Sequence, residues 1–353
     1  MNKNYRIKDI AELAGVSTGT VDRILHNRGK VSEAAWKKVE KVLEEIDYQP
    51  NLIARSLALK KTFTIFTVTP FYEEGEYWEK FCLGIEKAEL ELYSYNVNII
   101  RLYFNQYDTR SFNEAISLIK KTECQGVVIA TLFKEGALEL TKILDNRSIP
   151  YVLVDAYLPN TNCIAYYGTN SYDSGYIAGR LMNVQLRQNE DIAIFRFIRH
   201  GEQPSNQVQQ REEGFRNYLH EHRSRRRIYT AYIHADQPEE SWEYLDMFFN
   251  RHRYIGGGII FNSRAHILGD YFKIHRPDLY FKLIGYDVID SNIQYLNEGY
   301  ITHLIAQRPE VQGVNSIRAL FNHLIRKKKP KLINYMPIDI LIKENIEYYD
   351  NYI

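Results

Sequence analysis

Cysteine is scarce in this chain of 353 residues: Cys82, Cys124 and Cys163 stand far apart. Their spacing fits neither a zinc site nor a disulfide framework, so all three are expected to be buried thiols. No apolar run reaches membrane-spanning length, and no charged-then-apolar signal segment opens the chain, which points to a cytoplasmic protein without a membrane partner. Repeats of solenoid period and low-complexity segments are also missing. So are the G-x-x-x-x-G-K-[ST] loop, the His-Glu-x-x-His pair and the G-x-S-x-G elbow, and with them the commonest routes to an enzyme. Gly256-Gly-Gly258 precedes a strand and reads as a turn, and His220-Glu-His222 beside Arg223 reads as a solvated cluster. The expectation is a protein with no catalytic activity, no metal and no cofactor.

What is present describes an ordinary globular chain: 45% hydrophobic and 25% charged residues. Its length suits two or three domains. A formal net charge of +1 argues against a strong nucleic-acid binder until the chain is divided. Residues 1–61 hold 12 Lys and Arg against 8 Asp and Glu, a net of +4; the remainder holds 33 against 36. Positive charge is therefore concentrated at the N-terminal end, as phosphate binding requires. Arg225 to Arg227 and Arg326 to Lys329 are basic runs better explained as solvated loop and helix-end charge.

Within that cationic part lies IKDIAELAGVSTGTVDRIL, residues 7–25. Ile7, Ile10, Ala11, Leu13 and Ala14 recur at helical spacing, Gly15 interrupts, and Ser17 restarts a helix whose inner face is Val21, Ile24 and Leu25. Two short helices that cross steeply need a small residue at the contact, here Ala11, and a turn residue without Cβ, here Gly15. Thr18, Gly19, Asp22 and Arg23 then face outward from the second helix, which can lie in a DNA major groove. Taken alone, the pattern also fits any small helical pair. Ser32 caps a third helix with Ala35, Val39, Val42, Leu43 and Ile46 inward, and Pro50 ends it. YQPNLIARSL follows, a helix-capable linker too short to be stable alone.

These three motifs, in this order and spacing over residues 6–57, resemble the lactose-repressor (LacI) family of bacterial transcription regulators. The resemblance implies DNA contacts from Ser17, Thr18, Gly19, Thr20, Asp22 and Arg23 in the headpiece, and from Asn51, Ala54, Arg55 and Leu57 in a hinge helix. Leu57 would be the wedge pushed between central base steps of the minor groove, with Ala54 allowing close approach. The implied protein is a repressor-type homodimer on a pseudo-palindromic operator. Its headpiece would span residues 1–48 and its hinge 49–61.

From Thr62 onward short apolar runs alternate with amphipathic helices. Strands are predicted at 63–69, 97–103, 126–131, 150–154, 191–197, 228–234, 257–261, 282–287 and 301–306, with helices between them. Such alternation implies parallel sheets covered on both faces. Nine strands exceed one comfortable sheet, and the break near Gly168 suggests two Rossmann-like subdomains: 62–168 with 289–308, and 169–288 with 309–345. The predicted fold is thus a small all-α helix-turn-helix headpiece followed by an α/β core of two Rossmann-like subdomains, which the resemblance to the LacI family implies is of periplasmic-binding-protein type.

Ligands of such sheets bind beyond the carboxyl ends of the strands. Asp155, Asn262, Asp287 and Gln307 each follow an apolar run, and together they suit a polyhydroxylated ligand, with Tyr77 and Trp78 placed to cover a sugar ring. A strand-end Asp or Asn is often just a helix cap, so helix capping stands as the alternative for Asp155, Asn262 and Asp287. The same residues, with Gly84 and Arg211, resemble the ribose-type periplasmic sugar-binding proteins, although Ala156 replaces an arginine and Gly75 an asparagine often found there. That resemblance implies a sugar-like effector held by Tyr77, Trp78, Asp155, Arg211, Asn262, Asp287 and Gln307. Arg196 and Arg211 also read as ion-pair residues. The rival is a transport binding protein without DNA-regulatory role, which explains the core but not residues 1–57.

Overall fold

The computed structural model describes residues 5–25, 29, 31–46, 62–198, 205–234 and 237–352. The chain divides into two compact units, residues 1–60 and 61–353.

In the first unit, α1 (Ile7–Ala14), α2 (Thr18–Leu25) and α3 (Glu33–Glu45) pack around Ile10, Val21 and Val39, all fully buried. Asp9 Oδ2 accepts from the Arg6 amide (2.7 Å), which fixes the start of α1. Gly15 ends it at φ +60, where a Cβ would be strained, and the Val16 amide closes back on the Ala11 carbonyl at 3.0 Å. Ser17 Oγ then accepts from the Thr20 amide (3.1 Å) and starts α2, while Ser32 Oγ accepts from the Ala35 amide (3.3 Å) at the head of α3. One headpiece expectation fails. Leu13 is 56% exposed, because α1 is short and its contact with α2 and α3 is filled by Ile10, Ala11 and Ala14.

The described residues of the second unit hold two six-stranded sheets. The first contains β1 (Phe63–Pro70), β2 (Val97–Phe104), β3 (Gly126–Ala130), β4 (Tyr151–Val154), β5 (Ala165–Gly168) and β11 (Ile333–Tyr335), in the spatial order β11-β5-β4-β3-β1-β2 and parallel throughout. Helices α4 (Tyr77–Leu92), α5 (Thr109–Lys121), α6 (Lys134–Asn146) and α12 (Pro309–Leu324) cover it. β6 (Asp191–Ile198), β7 (Ile228–His234), β8 (Ile255–Ile260), β9 (Lys282–Tyr286), β10 (His303–Ala306) and β12 (Asp339–Leu341) form the second, ordered β12-β10-β9-β8-β6-β7. Only β12 runs antiparallel, with Ile340 opposite Ile305. Its helices are α7 (Ser171–Gln185), α8 (Asn206–Glu221), α9 (Trp242–Arg251), α10 (Ala265–His275) and α11 (Asp290–Glu298).

Burial on both faces explains the unbroken apolar strands. Val127, Val128 and Ile129 of β3 are fully buried, and each stabilises the fold by about 1.5–3 kcal/mol relative to exposure. Cys82, Cys124 and Cys163 are buried free thiols.

The division of the chain between the sheets differs from the sequence expectation. Residues 289–308 supply α11 and β10 to the second sheet, not the first, and α12 with β11 returns to the first sheet, where Ile317, Leu320 and Phe321 join its core. β5, β11, β12 and α11 were not expected either. They are four residues or fewer in the three strands, and α11 carries the polar run DSNIQYLNE with little apolar face. Among the described residues the chain consequently crosses between sheets three times, at residues 168–171, 306–309 and 335–339.

Candidate functional site

Each sheet has the strand order 2-1-3-4-5 at its heart, so the order reverses beside β1 in one and beside β6 in the other. A crevice opens at the carboxyl edge of such a switch point. Here the two edges share a cavity of about 340 Å³, the size of a small-molecule site. Tyr77, Trp78, Asp155, Arg211, Asn262, Asp287 and Gln307 all line it.

Asp155 directly follows β4 and is 3% exposed, at φ +80. Thr131 pins the turn: its hydroxyl lies 2.7 Å from the Ala156 carbonyl and accepts from the Ala156 amide at 2.9 Å. No helix starts between Asp155 and β5, so the carboxylate caps nothing, and its Oδ2 has no hydrogen-bond partner among the described residues. Asp287 stands in the same left-handed conformation after β9, at φ +70, with its amide on the Ile305 carbonyl. Its Oδ1 accepts from Gln307 Nε2 at 2.6 Å. The next helix, α11, is preceded by Ile289 without a side-chain cap, so Asp287 is not a cap either. Asn262 behaves partly as one: its Oδ1 accepts from the Arg264 amide (3.0 Å) ahead of α10.

Arg211 reaches the cavity from α8 and is 1% exposed. Its position depends on the close approach of α7 and α8, where a Cβ at Gly175 would collide with the Arg211 carbonyl and one at Gly214 with the Tyr172 carbonyl. Nη1 donates to the Phe261 carbonyl (2.8 Å) and the guanidinium lies 4.1 Å from the Tyr286 ring centroid, while Nε and Nη2 have no partner. The Tyr77 hydroxyl is likewise buried and unpaired, with its ring edge-on to Trp78 at 5.2 Å.

Electrostatics follow from this burial. The Asp155 carboxyl is pushed up to about 7, chiefly by burial, with Arg211 opposing and Asp287 adding. Burial also raises Asp287, against Arg211 and the Gln307 hydrogen bond. Tyr77 lies well above the usual phenol range through burial, then through Asp287 and Asp155.

Gln307 and Thr169 sit in two of the three crossovers and are joined, Thr169 Oγ1 donating to Gln307 Oε1 at 3.2 Å. Gln207 Nε2 donates to the same oxygen at 3.1 Å. The site is thus wired to the segments that link the sheets. Sequence reasoning missed Gln207, Tyr107, Phe197 and Arg264. Arg264 Nη2 donates to the Tyr107 hydroxyl beyond β2, and its guanidinium lies 5.7 Å from the Phe197 ring centroid. Phe197 is the penultimate residue of β6, and Gln207 is one helical turn before Arg211, so the strand-end rule and i,i+4 spacing could have found both. Arg196 is an ion-pair residue, held by Glu212 at 2.6 Å.

On the headpiece, Ser17, Thr18, Gly19 and Arg23 are exposed and Thr20 and Asp22 half-buried. Ser17 spends its hydroxyl on the Thr20 amide and lies 2.9 Å from the Thr20 hydroxyl. Asn51, Ala54, Arg55 and Leu57 lie outside the described residues.

Residues 6–51 match the family of bacterial regulatory proteins of lacI type, and residues 65–329 match the periplasmic binding protein domain. A solved structure from Bacteroides fragilis, provisionally assigned as a LacI transcriptional regulator, is 38% identical; the alignment covers 82% of this chain and 100% of that one, with a TM-score of 0.78. The chain belongs to the lacI family. This lacI-family chain is also 24% identical over 344 residues, 96% of its length and 98% of the other's, to the HTH-type transcriptional repressor PurR of Actinobacillus pleuropneumoniae. Over 149 residues it is 33% identical to the HTH-type transcriptional regulator RegA of Clostridium acetobutylicum, and it spans 42% of that relative's length. As a member of the lacI family it is a DNA-binding transcriptional regulator with a periplasmic-binding-protein core. No helix among the described residues is long and apolar enough to cross a membrane.

Proposed function

We propose that this regulator is a cytoplasmic homodimeric repressor whose operator affinity is set by a small polyhydroxylated, sugar-like effector bound between the two sheets. The observation that carries the reading is the set of buried polar atoms left unpaired around one cavity: Asp155 Oδ2, Arg211 Nε and Nη2, and the Tyr77 hydroxyl. Each such atom costs about 1–3 kcal/mol while unsatisfied, and a ligand bearing several hydroxyls on one ring satisfies donors and acceptors together. Trp78 and Phe197 offer the ring apolar cover.

The ligand touches both sheets at once, Asp155 on one and Asp287 on the other, so it favours one arrangement of the sheets over any other. Gln307 and Thr169 carry that preference to the crossovers. In the dimer, the N-terminal sheets of two copies would then hold the residue 49–61 hinges together or apart, and with them the two α2 helices on successive half-sites. Effector binding relieves repression in this scheme. Arg23 reads a base edge, and Leu57 wedges the minor groove.

A sugar and polyol library, screened by melting temperature on the full chain and followed by operator titration with each hit, tests the reading. A hit that lowers operator affinity, and loses its effect in Asp287→Asn, supports it. Hits that bind without changing operator affinity refute the coupling, and a library without any hit refutes the sugar-like effector.

A further inference from the structure

Among the described residues that line the cavity, three charge-bearing side chains are at least nine-tenths buried: Asp155, Asp287 and Arg211, at 3%, 6% and 1% exposure. Two carboxyls face one guanidinium, so the buried set is one positive charge short when both acids are ionised. Among the described residues Arg211 is the one cation that acts on either carboxyl, and no other cation of the lining bears on them. Arg196 is gripped by both oxygens of Glu212, and Arg264 is engaged by the Tyr107 hydroxyl and the rings of Tyr107 and Phe197. The residue after Asp155 is Ala156, itself 1% exposed, which supplies only a methyl group.

Within this set the deficit falls on Asp155. Asp287 has the Gln307 amide, whereas Asp155 Oδ2 is buried with no donor among the described residues. A hydroxyl donor would fill the hydrogen bond but leave the charge uncompensated; an ammonium fills both, and charge-assisted bonds are about twice as strong as neutral ones. Beside it, Arg211 Nε and Nη2 and the Tyr77 hydroxyl ask for oxygen acceptors. One ligand must therefore carry an ammonium and oxygens on the same small frame.

We propose that the effector is an amino sugar whose ammonium sits on Asp155 and whose neighbouring oxygens accept from Arg211. This rests on the sugar-like effector reading above and narrows it. The groups that face Asp155 are Arg211, Asp287, Tyr77 and Tyr166, and burial already holds its carboxyl partly protonated near neutral pH. Binding of the ammonium therefore expels a proton.

The experiment is calorimetric titration of the full chain at pH 6.5 with glucose, galactose and mannose, each as the free sugar, the 2-amino sugar and the N-acetylated amino sugar. One amino sugar is expected to bind at least about tenfold tighter than both of its neutral counterparts, with proton release visible as a buffer-dependent heat. Asp155→Asn, which keeps the shape and removes the charge, should bring the three forms within about threefold of one another and abolish the proton release. Equal or tighter binding of a neutral form overturns the amine assignment and leaves the sugar reading standing, as does a preference that survives in Asp155→Asn. Failure of all the sugars to bind overturns the sugar reading and this inference with it.

Discussion

Asp155→Asn also makes a prediction about the unliganded protein. The native carboxyl sits at about 7, against an ordinary value of 3.8, mainly because burial penalises its charged form. At 1.36 kcal/mol per pH unit this difference amounts to at most ~4 kcal/mol. The sign follows from proton counting. Between about pH 4 and 7 the native state holds a proton on Asp155 that the unfolded chain has already released, so the contribution of this group to stability is complete below pH 4 and is lost as pH rises through 7. Asn cannot ionise, and it tolerates the left-handed φ of +80 that would strain Ala. The variant should therefore match the wild type near pH 4.5 and exceed it by about 1–3 kcal/mol at pH 8, the lower figures allowing for the lost attraction to Arg211. Asp287, raised in the same direction, adds a slope of its own in both proteins, so the comparison reads the change that Asp155 brings, its coupling to Asp287 included. Urea denaturation of the second unit at several pH values, without ligand, reads the difference directly. A stability difference that stays flat from pH 5 to 8 would show that Asp155 does not ionise at this cost, and the charge-deficit argument would fall with it.

Four further outcomes are expected. Arg23→Ala should cost about 1–3 kcal/mol of operator affinity and relax specificity, read by fluorescence anisotropy; an equal loss on random DNA makes Arg23 a phosphate contact. Leu57→Ala should reduce operator bending in a circular-permutation gel assay while effector affinity holds, and unchanged bending removes the wedge. Asp287→Asn should weaken effector binding about tenfold to a hundredfold and leave effector-free DNA binding intact, since the headpiece is a separate unit; unaltered affinity by calorimetry rules out Asp287 as a contact. Asn292 is fully buried, and its Nδ2 reaches the carbonyls of Ser263, Tyr286 and Asp287 at 2.9–3.0 Å, so Asn292→Asp should lower the melting temperature of the second unit and weaken effector binding together. A variant that melts normally and still binds refutes that positioning role.

The headpiece was legible in the sequence because its determinants are local. Ser17 and Ser32 cap helices within three residues, Gly15 ends one, and Ile10, Val21 and Val39 recur at the helical period. The strands of the core were legible for the same kind of reason, since burial on both faces makes each a continuous apolar run, and the residue after each run is carried to the cavity edge by the strand itself. Sequence could not say which sheet owns residues 289–335. That choice is made by Ile317, Leu320 and Phe321 packing on strands that precede them by about a hundred and fifty positions or more, an energy that leaves no local period. Leu13 shows the converse: its period says inside, but only the neighbouring helices decide how much of a face is covered. At the cavity, residue types were readable and their pairing was not. Whether Asp155 is a cap or an unpaired charge depends on where Arg211, Asp287 and Gln307 arrive from other elements, and on a left-handed turn pinned by Thr131, so the chemistry of the site was decided only when the two sheets met.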